Sequence, residues 1–160
     1  MSSIEEAICH IESPEEALSI IASADEDIVD WQFQKGGAAE YLMRQGWKVG
    51  AVAHQSSVSN AKVHEWCRTF RAFPRKEDRM PYAELKYYHF RICADQEDPH
   101  YWAALASDRQ LSTRELIKLT KGQEVKDEFR DAESALNKVK KVLGEPGKAA
   151  EWLLDRLEEE

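Results

Sequence analysis

The sequence predicts an all-α fold, on three observations. Apolar residues recur three and four apart rather than at every second position, Val63, Trp66, Cys67 and Phe70 being the plainest case. Helix starts are written ahead of several such runs, as in Ser13-Pro14-Glu15-Glu16 and Ser112-Thr113-Arg114-Glu115. Brief ambiguous runs aside, no apolar–polar alternation extends over four residues or more. The 160 residues suit one domain, or a small domain with an extension. With 42% hydrophobic residues, five of them Trp, there is enough apolar mass for a core, and the 32% charged residues suit a helical, solvated surface.

Each element follows from local signals. Ile4, Ala7, Ile8 and Ile11 share one face of a first helix. Ser13 caps a second, with Pro14 at the first helical position and Leu18, Ile20 and Ile21 as its apolar residues. The acidic run Asp25-Glu26-Asp27 is expected to open a short helix through Ile28, Val29 and Trp31, and Gly36-Gly37 to break the chain. Ala38 to Arg44 reads as a helix ended by Gly46. Trp47 to Ala53 and Ser59 to Phe73 are the next two, the latter stopped by Pro74. Pro74 to Met80 reads as a basic loop and Pro81 to Ala94 as an aromatic-rich helix. Asp98-Pro99 opens another, and the Ser112 capping box leads into Leu116, Ile117 and Leu119, closed by Gly122.

Beyond Gly122, Val125, Phe129, Ala132, Leu136, Val139 and Leu143 are spaced 4, 3, 4, 3, 4, a heptad seam. Gly144-Glu145-Pro146-Gly147 ends it, and Ala150 to Leu157 makes a last helix. The seam suits either a hairpin folded back on its own domain or a dimerisation arm. It is shorter than the ~3–4 heptads of an independent coiled coil, so it needs other contacts. The expected organisation is thus 1–34, acidic helices; 35–122, a core; and 123–160, heptad-patterned helices.

Net charge is −8, but it is unevenly spread. Residues 1–34 carry nine acids and no Lys or Arg; residues 35–91 carry eleven Lys or Arg against five acids; residues 92–160 carry eleven against sixteen. The middle segment alone is basic, and attraction to phosphate depends on local charge rather than on the whole-chain balance. No stretch approaches ~18 uninterrupted apolar residues, so no membrane span is expected. The N-terminal MSSIEEAICHIES lacks a basic region and a long apolar run, which argues against a signal peptide. Three cysteines without tight spacing suit reduced thiols, and a cytoplasmic location is expected.

Within the basic segment, Ala53 to Trp66 (AHQSSVSNAKVHEW) reads as the turn and second helix of a helix-turn-helix. Ala53 is small where two helices would cross. Ser57, Val58 and Ser59 make the turn; Ser59 is a helix cap, and Val58 and Val63 flank it as a hydrophobic staple. Val63, Trp66, Cys67 and Phe70 form the apolar face; Asn60, Ala61, Lys62, His64, Glu65, Arg68 and Thr69 form the other. Asn60, Lys62, Glu65 and Arg68 are the candidates for base contacts: Arg or Lys suits guanine O6 and N7, Asn suits adenine, and Glu accepts from cytosine N4. Lys48, Ser59, Arg71, Arg75, Lys76 and Arg79 are the candidates for phosphate contacts that set register.

This segment is similar to the helix-turn-helix of many bacterial and phage DNA-binding proteins, in which a small residue is followed by a turn four residues later, Val-Ser, a β-branched residue and a bulky one. Many of them carry glycine where this chain has Ser57; a serine in the left-handed region costs about 1 kcal/mol relative to glycine, so a turn that differs in detail is expected. A wider stretch, Trp66 to Pro74, Met80-Pro-Tyr-Ala-Glu-Leu-Lys-Tyr-Tyr-His-Phe-Arg91 and Leu111-Ser-Thr-Arg-Glu-Leu116, resembles a group of phage- and mobile-element-type regulators. There, a helix-turn-helix ending in aromatic-Pro precedes a histidine-containing helix and a Ser-x-Arg-Glu-Leu helix. ParB-like DNA-binding domains have a related helical organisation. The resemblance spans roughly residues 31–122 and implies sequence-specific binding of double-stranded DNA in transcriptional regulation.

A homodimer is expected, because paired half-sites one turn apart are the usual way to gather enough specificity. The rival expectation is a protein-interaction module, an adaptor or anti-repressor on the same scaffold, whose acidic N-terminal segment binds a partner protein. No catalytic residue, cofactor or metal is expected. His89 and Cys93 lie four apart and Cys9-His10 is adjacent, but neither pair has a second pair at zinc spacing. GxxxxGK[ST] and GxGxxG are both missing from the sequence. Tyr87-Tyr88 reads as packing rather than base stacking.

Overall fold

The computed structural model describes residues 2–23, 28–122, 138, 139 and 141, and among these there is no strand. The protein is all-α. Its helices are α1 (Ser3–Ile8), α2 (Pro14–Ser23), α3 (Val29–Arg44), α4 (Val49–Gln55), α5 (Asn60–Ala72), α6 (Lys76–Arg79), α7 (Tyr87–Ala94), α8 (Pro99–Asp108) and α9 (Thr113–Thr120). The chain divides into two units at Lys121/Gly122, and all nine of these helices belong to the first. The acidic run 25–27, the heptad seam apart from Val139, and the helix expected at 150–157 lie outside the described residues.

Most helix starts sit where their caps are written. Ser2 and Glu5 form a reciprocal capping box at α1. Ser13 Oγ accepts the Glu16 N–H ahead of α2, Asp98 accepts that of Tyr101 ahead of α8, and Ser112 and Glu115 repeat the capping box at α9. Two segments differ from expectation. The basic loop at 74–80 contains the one-turn helix α6, because Asp78 accepts the Arg75 backbone N–H and caps it. The helix expected from Pro81 starts only at Tyr87, after a 3-10 turn at Met80–Tyr82. There the His89 ring turns back to accept the Lys86 N–H at 3.2 Å and fixes the start.

The largest correction concerns Gly36-Gly37. The helix does not break there; α3 runs straight through, and both glycines are buried. A Cβ on Gly36 would lie 2.8 Å from both Phe70 Cβ and the Trp66 carbonyl oxygen, and one on Gly37 would lie 3.1 Å from the Phe70 ring. The pair is therefore there for close approach of α3 to α5, not for a turn. Each glycine costs the helix about 1 kcal/mol relative to alanine, which the contact with α5 offsets. Residues 34 and 35, on either side of the boundary expected there, are neighbours within α3, and α1 and α2 pack against the same helix.

Helix α5 is the centre of the core, with α3, α4 and α7 packed around it. Val63, Trp66, Cys67 and Phe70 are buried, as their spacing predicts. Phe33, Phe73 and Phe90 meet edge to face at centroid distances of 5.4 Å (Phe33–Phe90) and 5.1 Å (Phe73–Phe90). Thr69, expected on the polar face, is fully buried towards α7 instead, beside the Tyr87 hydroxyl.

Candidate nucleic-acid interface

Helices α4 and α5 are joined by residues Ser56 to Ser59. The Val58 N–H reaches back to the Ala53 carbonyl (3.0 Å) and the Ser57 N–H to that of His54 (3.2 Å), which closes the last turn of α4. That closure requires a left-handed residue at position 57, and Ser57 adopts it with φ +55°. Val58 is partly buried against the core to which Val63 belongs. Ser59 turns the chain into α5, its Oγ accepting the Lys62 N–H at 3.2 Å.

Because α5 is packed on several sides, its exposed surface is a narrow stripe. Asn60, His64, Arg68 and Arg71 are exposed, as is Ala61. The spacing of four, four and three places Asn60, His64, Arg68 and Arg71 on one helical line. Asn60 and Arg68, two of the base-contact candidates, are thus both exposed on this line. His64 belongs with them, and Arg71, expected only to hold phosphate, continues the same line.

Lys62 and Glu65 lie to one side of the stripe. Lys62 Nζ is 2.8 Å from Glu65 Oε1, and Arg91 of α7 is 3.2 Å from Glu65 Oε2. Glu65 is only 13% exposed and held by two cations, so its carboxylate is an internal clamp rather than a reader of cytosine. The remaining cations are also engaged. Arg68 faces Asp95 at the end of α7 (2.6 Å), Arg71 faces buried Glu40 (2.7 Å), Arg75 faces Asp78 (3.0 Å), and Lys76 faces Asp30 (3.5 Å). Arg79 leaves the phosphate set altogether. Its side chain is 11% exposed, donates to the Phe73 and Arg75 carbonyls, faces Asp30 and lies 4.1 Å from the Phe33 ring centroid. Burial lowers its pKa, and the Asp30 carboxylate opposes that effect. Of the phosphate candidates, Ser59 is exposed with its Oγ used as the cap, and Lys48, at the start of α4, has no ion pair among the described residues.

Arg75 and Lys76 border a cleft of about 480 Å³ that is also lined by Phe33, Gly37 and Phe70, by Glu6 of α1 and by His10 just after that helix. The acidic N-terminal helix therefore stands across from the 75–79 cations.

The other sequence candidates are built into the fold. His89 accepts from Lys86 N–H at Nδ1, which leaves Nε2 as the donor to the Leu111 carbonyl at 2.9 Å. Cys93 and Cys67 are buried; burial pushes their thiols up to about 12 and about 11, and the Glu40 carboxylate adds to the effect at Cys67. Tyr87 is buried, while Tyr88 is exposed beneath the Arg91 guanidinium. No helix among the described residues is long and apolar enough to cross a membrane. No family model matches this chain, and no curated protein or solved structure matches it either.

Proposed function

We propose that the chain binds double-stranded DNA sequence-specifically, with α4, the turn and α5 acting as a helix-turn-helix, in transcriptional regulation of phage or mobile-element type. The observation that carries the reading is the exposed line Asn60, His64, Arg68 and Arg71 on a helix whose start is capped by Ser59 and left open to solvent. Asn60 suits adenine, Arg68 suits guanine once it exchanges Asp95 for a base edge, and His64 can donate to a guanine acceptor between them. Arg71 and Lys48 supply phosphate contacts. A homodimer would present two such helices to paired half-sites.

The test is selection of bound sequences from a genomic DNA pool at two salt concentrations. The reading requires an enriched site, palindromic for a dimer, with steeply salt-dependent binding. Failure to retain any duplex at low salt would sink it.

One observation favours a different class of function. Arg71, Arg75 and Lys76 are matched by Glu40, Asp78 and Asp30, which lowers the net attraction of that surface for phosphate. An adaptor or anti-repressor would use the mixed-charge cleft between α1 and α6 to hold a partner protein. Recovery of a stoichiometric protein partner, with no DNA retained, is the result that selects this reading.

A further inference from the structure

The turn between α4 and α5 occurs a second time. Residues Arg109 to Ser112 join α8 to α9 with the same backbone, residue for residue, 53 positions further on. Ser56 and Arg109 end their helices with φ −95°, ψ 0° and φ −93°, ψ 0°. Ser57 and Gln110 follow as the only described non-glycine residues with positive φ, at +55° and +51°. Val58 N–H reaches the Ala53 carbonyl at 3.0 Å, and Leu111 N–H reaches that of Ala106 at 2.9 Å. Ser59 and Ser112 then cap the next helix through Oγ, at 3.2 and 3.3 Å. The buried residues match as well, Ala53 with Ala106 and Val63 with Leu116. A third helix packs on both members in each case, α3 on α4 and α5 and α7 on α8 and α9; α4 and α5 also pack closely on each other, whereas α8 and α9 are held together chiefly by the turn and by α7.

The two second helices differ in the state of their cations. On α5, Lys62, Arg68 and Arg71 each face a carboxylate. On α9 and its C-cap, Arg114, Lys118 and Lys121 are exposed, lie four and three apart, and have no ion pair among the described residues. Among the described residues none of the three has a salt bridge to give up before meeting an anionic surface, although Lys118 lies close enough to the Glu115 carboxylate to help hold its pKa down.

The geometry points to a second helix-turn-helix, α8–α9, that contacts the phosphates of double-stranded DNA through Arg114, Lys118 and Lys121. This rests on the reading of the chain as a DNA-binding protein, and it gives one chain two docking helices rather than one.

The test is fluorescence anisotropy of a fluorescein-labelled duplex of random sequence, titrated at several salt concentrations. The proteins are the full chain, the α9 variant Arg114→Ala/Lys118→Ala/Lys121→Ala, and the α5 variant Asn60→Ala/Arg68→Ala. All substituted positions are exposed, and far-ultraviolet circular dichroism checks that helix content is kept; Lys118→Glu alone serves as the milder second variant. The α9 variant is expected to bind at least about tenfold more weakly, with the salt slope reduced by about two to three. An α9 variant that matches the wild type while the α5 variant loses binding overturns the inference and leaves the α5 reading standing. Weakened binding by both variants supports the inference, and weakened binding by the α9 variant alone removes α5 as a DNA-binding helix and with it the two-helix reading. A wild-type chain that binds no duplex overturns both.

Discussion

Glu40 of α3 accepts a 2.7 Å hydrogen bond from Arg71 Nε of α5 and a 3.0 Å one from Arg44 Nε of its own helix. The carboxylate is 4% exposed and Arg71 51% exposed, so the two ends of the pair do not have equal consequences. Arg71→Ala leaves Glu40 still bonded to Arg44, and as a half-exposed pair it is expected to cost no more than about 1 kcal/mol. Glu40→Ala removes the carboxylate from Arg71, leaves Arg44 only its longer pair with Glu5 at 3.7 Å and opens a buried gap, at about 1–3 kcal/mol. Urea denaturation of the two single variants and the double variant checks this. A larger loss for Arg71→Ala than for Glu40→Ala would contradict it.

The glycines of α3 are expected to respond differently to the same substitution. Gly36→Ala meets Cβ and backbone at 2.8 Å and is expected to destabilise by about 1–3 kcal/mol. Gly37→Ala meets a ring edge at 3.1 Å that can shift slightly, and helix propensity returns about 1 kcal/mol, so its net effect is expected near zero. Thermal melts of the two variants separate these outcomes.

Ser57 and Gln110 hold left-handed conformations that glycine adopts without steric cost. Ser57→Gly and Gln110→Gly are each expected to stabilise by up to about 1 kcal/mol, because relief of that cost exceeds the added freedom of the unfolded chain. Gly46, at φ +89° after α3, should behave in the opposite sense when replaced by alanine. A fall in melting temperature for both serine and glutamine variants would show that their side chains hold the turns in some other way.

The thiols supply a pH prediction. Cys67 and Cys93 ionise with more difficulty folded than unfolded, from an ordinary value of 9.0 up to about 11 and about 12. Through that range the unfolded chain has released protons that the folded chain still holds. Stability is therefore full below about pH 9 and falls as the pH rises through about 11 and towards about 12. Burial shifts Tyr87 in the same direction. Urea midpoints at pH 7 and at pH 10 should differ accordingly. At neutral pH, DTNB should modify exposed Cys9 in the native protein and reach Cys67 and Cys93 only on unfolding.

What was legible in the sequence is what is encoded locally. Ser59, Val58 and Val63 announce the start of α5 within a few residues of one another, and Ser112 with Glu115 does the same for α9. What was not legible depends on distant partners. Gly36-Gly37 resembles a break until Phe70 is brought against it. Glu65 resembles a base reader until Arg91 arrives from α7, and Arg79 resembles a phosphate contact until Phe33 and Asp30 enclose it. The repeated turn went unseen because neither copy uses glycine at its left-handed position, so no shared residue type marks it; only the offset of Ala53 and Ser59 from Ala106 and Ser112 does.

Helix α5 is both the middle of the core and the bearer of the exposed line Asn60, His64, Arg68 and Arg71. Its sequence is divided between two tasks with little overlap: Val63, Trp66, Cys67 and Phe70 maintain the fold, and four surface positions face outward. Arg71, tied to Glu40, and Arg68, facing Asp95, are the shared positions. Asn60 and His64 can therefore be exchanged, and the outward surface of the helix rewritten, without disturbing the core.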